Sequence, residues 1–194
     1  MFLARGMRMD KNKPKIRRRL LRLRGFDYSQ PGAYFVTVVT HGRACLFGEE
    51  VDGEMRLNEF GRIVEAVWFE IPSHYPNVES GAFCIMPNHA HAVIFLNDNY
   101  IVSKVAGPVG AGLRPAPTAQ TRHPLSEIVR AFKSFTARRI NELRNTPGQP
   151  VWQRNYYEHI IRNDDDYRLI YQYIEGNPAM WPEDEEFPAG QTQT

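Results

Sequence analysis

Two hydrophobic periods take turns along this chain, and their order predicts an architecture. Residues 33–40, Ala-Tyr-Phe-Val-Thr-Val-Val-Thr, are dense in β-branched and aromatic side chains behind the turn-forming Ser29-Gln-Pro-Gly32, and read as a strand. Val51-Asp-Gly-Glu54 predicts a small hairpin, because Asp-Gly accepts the positive φ angles of a tight turn. Asn58 is placed to cap a helix in which Phe60, Ile63, Val64, Val67 and Trp68 recur at helical spacing, until Pro72 is expected to stop it near Ile71. Residues 78–86 and 89–96 are strand-like runs on either side of Pro87-Asn88, expected as hairpin partners. A second helix is predicted from Ser126 to about Arg144, with Ile128, Val129, Phe132, Thr136, Ile140 and Leu143 on its apolar face. Residues 156–162 form a further strand. Asp164-Asp-Asp166 then opens a last helix to about Gly176, with acids where the helix dipole favours them.

Strand, helix, strand, strand, helix, strand and terminal helix is the split βαβ order of an α+β, ferredoxin-like sandwich: an antiparallel sheet with helices on one face, plus a terminal helix. Many unrelated activities share that scaffold, so function has to be argued from side chains. Between the second hairpin and the second helix, residues 97–122 are rich in Gly, Pro and Ala and are expected to be a long mobile loop. Residues 182–194 are an acidic tail, expected to be poorly ordered.

Charge changes the picture at one end. The chain of 194 residues has a formal net charge of +2, yet residues 1–24 hold ten of the 24 Lys/Arg against a single acid, Asp10. Arg17, Arg18 and Arg19 lie in this arm, which is either a solvated leader or a segment that tracks a polyanion through salt-dependent phosphate contacts. Two cysteines, Cys45 and Cys84, are too few for a disulfide framework, and no apolar run approaches the ~20 residues that span a bilayer. The arm also lacks the apolar core of a secretory signal. A soluble, cytoplasmic protein without a membrane partner is expected, with one domain at 25–181.

The chemistry concentrates in two places. His89-Ala-His91 puts two imidazoles on one face of a strand, since residues i and i+2 project the same way, while Ala90, Ala92, Ile94 and Leu96 share the other face. Such a pair is a two-toothed metal ligand that needs further donors, or else a chance pair of histidines. Cys84, five residues upstream, leaves a zinc hydrolase conceivable. In Tyr167-Arg-Leu-Ile-Tyr-Gln-Tyr-Ile-Glu-Gly-Asn177, Tyr167, Ile170, Tyr171 and Ile174 follow helical spacing and are expected in the core. Tyr173 falls off that face with Asn177 one turn beyond, which makes Tyr173 the freer phenol. Spacing leaves Tyr156 and Tyr157 as rival nucleophiles. On the second helix Arg130 and Lys133 lie off the apolar face, as solvated charges or phosphate contacts.

Met86-Pro-Asn-His-Ala-His-Ala-Val-Ile94 resembles the His-hydrophobic-His signature of HUH single-strand endonucleases and transposases. Together with Leu125-Ser-Glu-Ile-Val-Arg-Ala-Phe-Lys133, Trp152-Gln-Arg-Asn155, His159-Ile-Ile-Arg162 and Tyr173-Ile-Glu-Gly-Asn-Pro178, it resembles the REP-associated tyrosine transposases over residues 25–181. The resemblance implies a ferredoxin-like fold, His89 and His91 as ligands of Mg²⁺ or Mn²⁺, Tyr173 as nucleophile and Asn177 at the position of a third ligand. The insertion-sequence relatives often carry glutamine there, and asparagine reaches less far. It also implies cleavage and rejoining of single-stranded DNA near palindromic hairpins through a 5′-phosphotyrosine, by a nucleoid-associated monomer or homodimer. A DNA-binding regulator on the same fold that no longer cleaves is the competing reading.

Overall fold

The computed structural model describes residues 26–98 and 123–188, so the basic arm with Arg17, Arg18 and Arg19, most of the expected loop and the last six residues lie outside the described residues. Strand β1 (Gly32–Val39) is followed by the hairpin β2 (Gly48–Val51) and β3 (Glu54–Leu57), helix α1 (Glu59–His74), strands β4 (Val78–Met86) and β5 (His89–Leu96), helix α2 (Leu125–Leu143), strand β6 (Tyr157–Ile161) and helix α3 (Asp164–Glu175). A 3₁₀ turn, Pro178–Glu183, comes last. The main sheet has the order β4-β5-β1-β6 with every neighbour antiparallel, which is the expected ferredoxin-like arrangement. Asp52 and Gly53 both take positive φ at the β2–β3 turn, as Asp-Gly predicts.

The pleat of the sheet sorts its side chains into two cores. Tyr34, Val36, Val38, Ala90, Ala92, Ile94 and Leu96 face α1 and α2. Phe35 and Val93 face the other way, toward Ile170 and Ile174 of α3. The terminal helix thus covers the sheet face opposite to the other two.

Local chemistry fixes each helix. Asn58 accepts from Gly61 N–H at 3.0 Å and caps α1, as expected. Pro72 does not end that helix: it sits in the last turn, where one lost N–H is tolerated, and Tyr75 N–H closes the turn on the Ile71 carbonyl at 3.0 Å. On α2, Thr136 belongs to the buried face because its hydroxyl accepts from Trp152 Nε1 at 2.8 Å and donates to the Phe132 carbonyl. Leu143 does not, being 48% exposed as the last residue of the helix. Lys133 turns inward, donating to the carbonyls of Gln153, Arg154 and Asn155 at 2.5, 3.0 and 3.4 Å; burial pulls its ammonium down to about 8. This lysine staples α2 to the segment that enters β6.

Helix α3 is capped by Asn163, which accepts from Asp166 N–H at 2.9 Å, and tied to β6 by the Asp166 carboxylate, 2.9 Å from His159 Nε2. Its buried arc centres on Ile170 and Ile174, flanked by the partly buried Tyr167 and Tyr173. Tyr171, expected in the core, is 44% exposed, because one further 100° step from Ile170 carries it out of that arc. The segment from Pro182 to Pro188 also departs from expectation: Trp181 and Glu186 are buried, and Trp181 packs edge-on against Phe187 at 5.0 Å.

Two substitutions test this packing. Gly61→Ala ought to gain about 1 kcal/mol from helix propensity, but the new Cβ would collide with the Phe47 backbone carbonyl. A net loss of roughly 2 kcal/mol is expected in denaturant melts. Lys133→Met, which leaves three carbonyls without their donor, should cost about 1–3 kcal/mol in the same assay.

Candidate active site

The α3-facing side of β5 carries both histidines, and both are fully buried. A buried imidazole needs partners for its nitrogens, and each ring has one at Nδ1. His89 Nδ1 lies 2.8 Å from Asn88 Oδ1; His91 Nδ1 lies 2.8 Å from Oγ1 of Thr37, its cross-strand neighbour on β1. Asn88 Nδ2 donates to the Glu186 carbonyl at 2.7 Å and the Arg43 carbonyl at 3.2 Å, which only an NH₂ can do. Asn88 therefore presents its oxygen to His89, Nδ1 carries the proton, and the His89 Nε2 lone pair is left pointing into the site. The Thr37 hydroxyl can accept or donate and so serves either tautomer of His91.

The two Nε2 atoms are 2.9 Å apart. Two nitrogens bound about 2.1 Å from one cation at right angles stand about 3 Å apart, so the spacing suits a shared ion. Asp184 supplies a carboxylate: its Oδ2 is 4.0 Å from His89 Nε2, and ligand atoms of His89, His91 and Asp184 all lie within 4.8 Å of one another. Asn177, only 2% exposed, joins through Asp184 by donating Nδ2 to Oδ2 at 3.3 Å. Its Oδ1 is buried without a hydrogen-bond partner, an acceptor left over in a place where a cation could use it. Two imidazoles, a carboxylate and an amide oxygen are a donor set that fits a divalent ion.

Tyr173 meets this group from α3. Its hydroxyl is 3.4 Å from His91 Nε2, and its ring stands edge-on to His91 at 5.1 Å and to Phe35 at 6.0 Å. Phe35 also stacks on His91 at 5.5 Å, so the phenol and the imidazole share one aromatic wall. Tyr157 lies on the same sheet face, across Thr37 from His91, whereas Tyr156 packs against the core on the opposite face. Tyr156 is thereby separated from the histidines by the sheet.

The expected residues thus divide. His89, His91, Tyr173 and Asn177 come together. Arg130 and Lys133 do not join them, since α2 covers the other sheet face; Arg130 is exposed there and Lys133 is occupied by carbonyls. Cys84 is outside the cluster, and burial pushes its thiol up to about 12. Asp184 is the residue that sequence reasoning missed. The signal available for it was the bracket of Trp181 and Phe187, two large aromatics on either side of an acidic run that ought to have marked the segment as packed.

No family model matches the chain. A Haemophilus influenzae protein of uncharacterized function is 37% identical over 171 residues, covering 87% of this chain and 92% of that protein. A second Haemophilus influenzae protein, provisionally named a REP-associated tyrosine transposase, is 28% identical over 79% of this chain and 73% of its own length. Among solved structures, a REP-associated tyrosine transposase bound to a REP hairpin shares the fold with a TM-score of 0.52 and 22% identity, over 78% of this chain and 69% of that one. Among the described residues, no helix is long and apolar enough to cross a membrane. The chain thus shares its fold with a REP-associated tyrosine transposase and is similar in sequence to a protein provisionally given that name.

Proposed function

We propose that this protein cuts and rejoins single-stranded DNA beside palindromic hairpins, with Tyr173 as nucleophile and with His89, His91 and Asp184 as ligands of Mg²⁺ or Mn²⁺. The observation that carries the reading is the convergence of one phenol and two imidazole Nε2 atoms at a single buried point, 3.4 Å from the Tyr173 oxygen to His91 Nε2. Asn177 contributes its Oδ1 directly or steadies Asp184 through Nδ2.

When bound, the cation would polarise the scissile phosphate and favour the phenolate form of the attacking oxygen. Tyr173 Oη forms the new bond to phosphorus as the bond to the 3′ oxygen breaks. The phenolic proton is lost and the departing 3′ oxygen takes one up, leaving a 5′-phosphotyrosine and a free 3′-OH. The phosphotyrosyl ester conserves the broken linkage, so a second 3′-OH can reseal it without a nucleotide cofactor. Phe35, packed behind both rings, holds the phenol against the histidines while the strand changes partner.

A hairpin substrate is supported by the structural neighbour that is bound to a REP hairpin. The basic arm, with Arg17, Arg18 and Arg19, is the natural source of phosphate contacts, and Arg130 on the far face would serve only a duplex that reaches around the sheet. With Lys133 committed to the chain's own backbone, we assign it to structure rather than to DNA.

Incubation of the protein with labelled hairpin oligonucleotides and Mn²⁺ should give a covalent adduct on a denaturing gel. Tyr173→Phe should abolish the adduct and keep hairpin binding, because it removes only the attacking oxygen; Tyr171→Phe, on the exposed flank of α3, should cleave normally. His89→Ala and His91→Ala should each lower the cleavage rate at least 100-fold. Wild-type protein that binds hairpins yet forms no adduct would favour the non-cleaving regulator. Deleting residues 1–24 should weaken DNA affinity and flatten its salt dependence, measured by titration at several ionic strengths.

A further inference from the structure

We propose that Asn88 is a positioning residue that couples the two halves of the site, setting the tautomer of His89 with one end of its amide and anchoring the strap that carries Asp184 with the other. This rests on the reading of His89, His91 and Asp184 as a metal site.

Asn88 occupies the turn between β4 and β5 and is fully buried. A buried primary amide has two donors and one acceptor oxygen to satisfy, and here each connects a different part of the chain. Oδ1 takes the His89 Nδ1 proton at 2.8 Å. Nδ2 gives one bond to the Glu186 carbonyl, 98 residues away, and one to the Arg43 carbonyl in the turn after β1. The backbone of Asn88 adds a fourth tie, its carbonyl accepting from Thr40 N–H at 2.8 Å.

Other contacts also hold the strap, residues 177–188, to the rest of the chain. Arg43 reaches it through an ion pair with Glu186 at 2.9 Å and a longer bond to the Glu185 carbonyl, and Trp181 lies against His89 at 5.9 Å between ring centres. The Arg43 pair is half exposed on the arginine side, where such pairs are weak; the Asn88 bond is buried, where a hydrogen bond counts most. Asp184 is two residues from Glu186, and its Oδ1 accepts from Glu186 N–H at 2.7 Å. A shift of the Glu186 backbone therefore moves the carboxylate. Metal-ligating histidines commonly depend on a partner at the second nitrogen, but here the same side chain also holds a third ligand in register.

Two variants separate the two roles. Asn88→Ala removes both; Asn88→Asp keeps an acceptor for His89 Nδ1 but sets a carboxylate oxygen against two carbonyls, releasing the strap. Three readouts apply: ¹⁵N NMR of the His89 ring without metal, hydrogen exchange of residues 177–188, and Mn²⁺ affinity by titration. Asn88→Ala should mix the His89 tautomers, speed strap exchange at least tenfold and weaken Mn²⁺ binding by roughly 10–100-fold. Asn88→Asp should keep the Nδ1–H tautomer while still speeding strap exchange. Wild-type protein that takes up no Mn²⁺ overturns the metal reading and the coupling with it. Wild-type protein that binds Mn²⁺ overturns the Asn88 assignment alone if Asn88→Ala, folded by circular dichroism, binds equally and keeps a protected strap.

Discussion

The two-residue period of one strand governs this molecule. Because β5 alternates, His89 and His91 are delivered to one face of the sheet while Ala90 and Ala92 meet Trp68, Phe83 and Phe132 on the other. A register slip of one residue would bury the alanines under α3 and push both imidazoles into the aromatic core, where their nitrogens would have no partners. Everything else in the site answers to that placement. Thr37 must be the cross-strand neighbour of His91, Asn88 must sit in the turn before His89, and a third element must cover the exposed side of the rings.

That third element is divided between α3 and the strap after it. Helix α3 is held by Ile170 and Ile174, by the flanking Tyr167 and Tyr173 and by the Asp166–His159 contact at its first turn, a smaller cluster than the core under α1 and α2. Tyr173 rides on this helix while the histidines ride on the central sheet. If Tyr173 acts as proposed, carrying and then releasing a DNA strand, a mount that can move apart from the face bearing the histidines would serve it.

Much of this was legible in the sequence because it is written in short-range pattern. The alternation of 89–96, the Asp-Gly turn, the Asn58 cap and the His-Ala-His spacing each depend on neighbours within a few residues. The errors came where tertiary contacts override the local pattern. Pro72 is tolerated because it falls in a final turn, Tyr171 misses the core by one helical step, and Lys133 is drawn inward by three carbonyls some twenty residues downstream. Asp184 was hidden for a related reason: in Glu183-Asp-Glu-Glu186 nothing local distinguishes one acid from the next. Long-range contacts, among them the burial of Trp181, the Asn88 bond to Glu186 and the Asn177 bond to Asp184, select which carboxylate faces the histidines.

The central claim is that these side chains make one cation site beside the Tyr173 phenol. Anomalous diffraction from crystals grown with Mn²⁺ tests it most directly. The account predicts a single strong peak within bonding distance of His89 Nε2, His91 Nε2 and a carboxylate oxygen of Asp184. A peak that leaves out either histidine, or well-ordered imidazoles with no peak between them at saturating Mn²⁺, would contradict it.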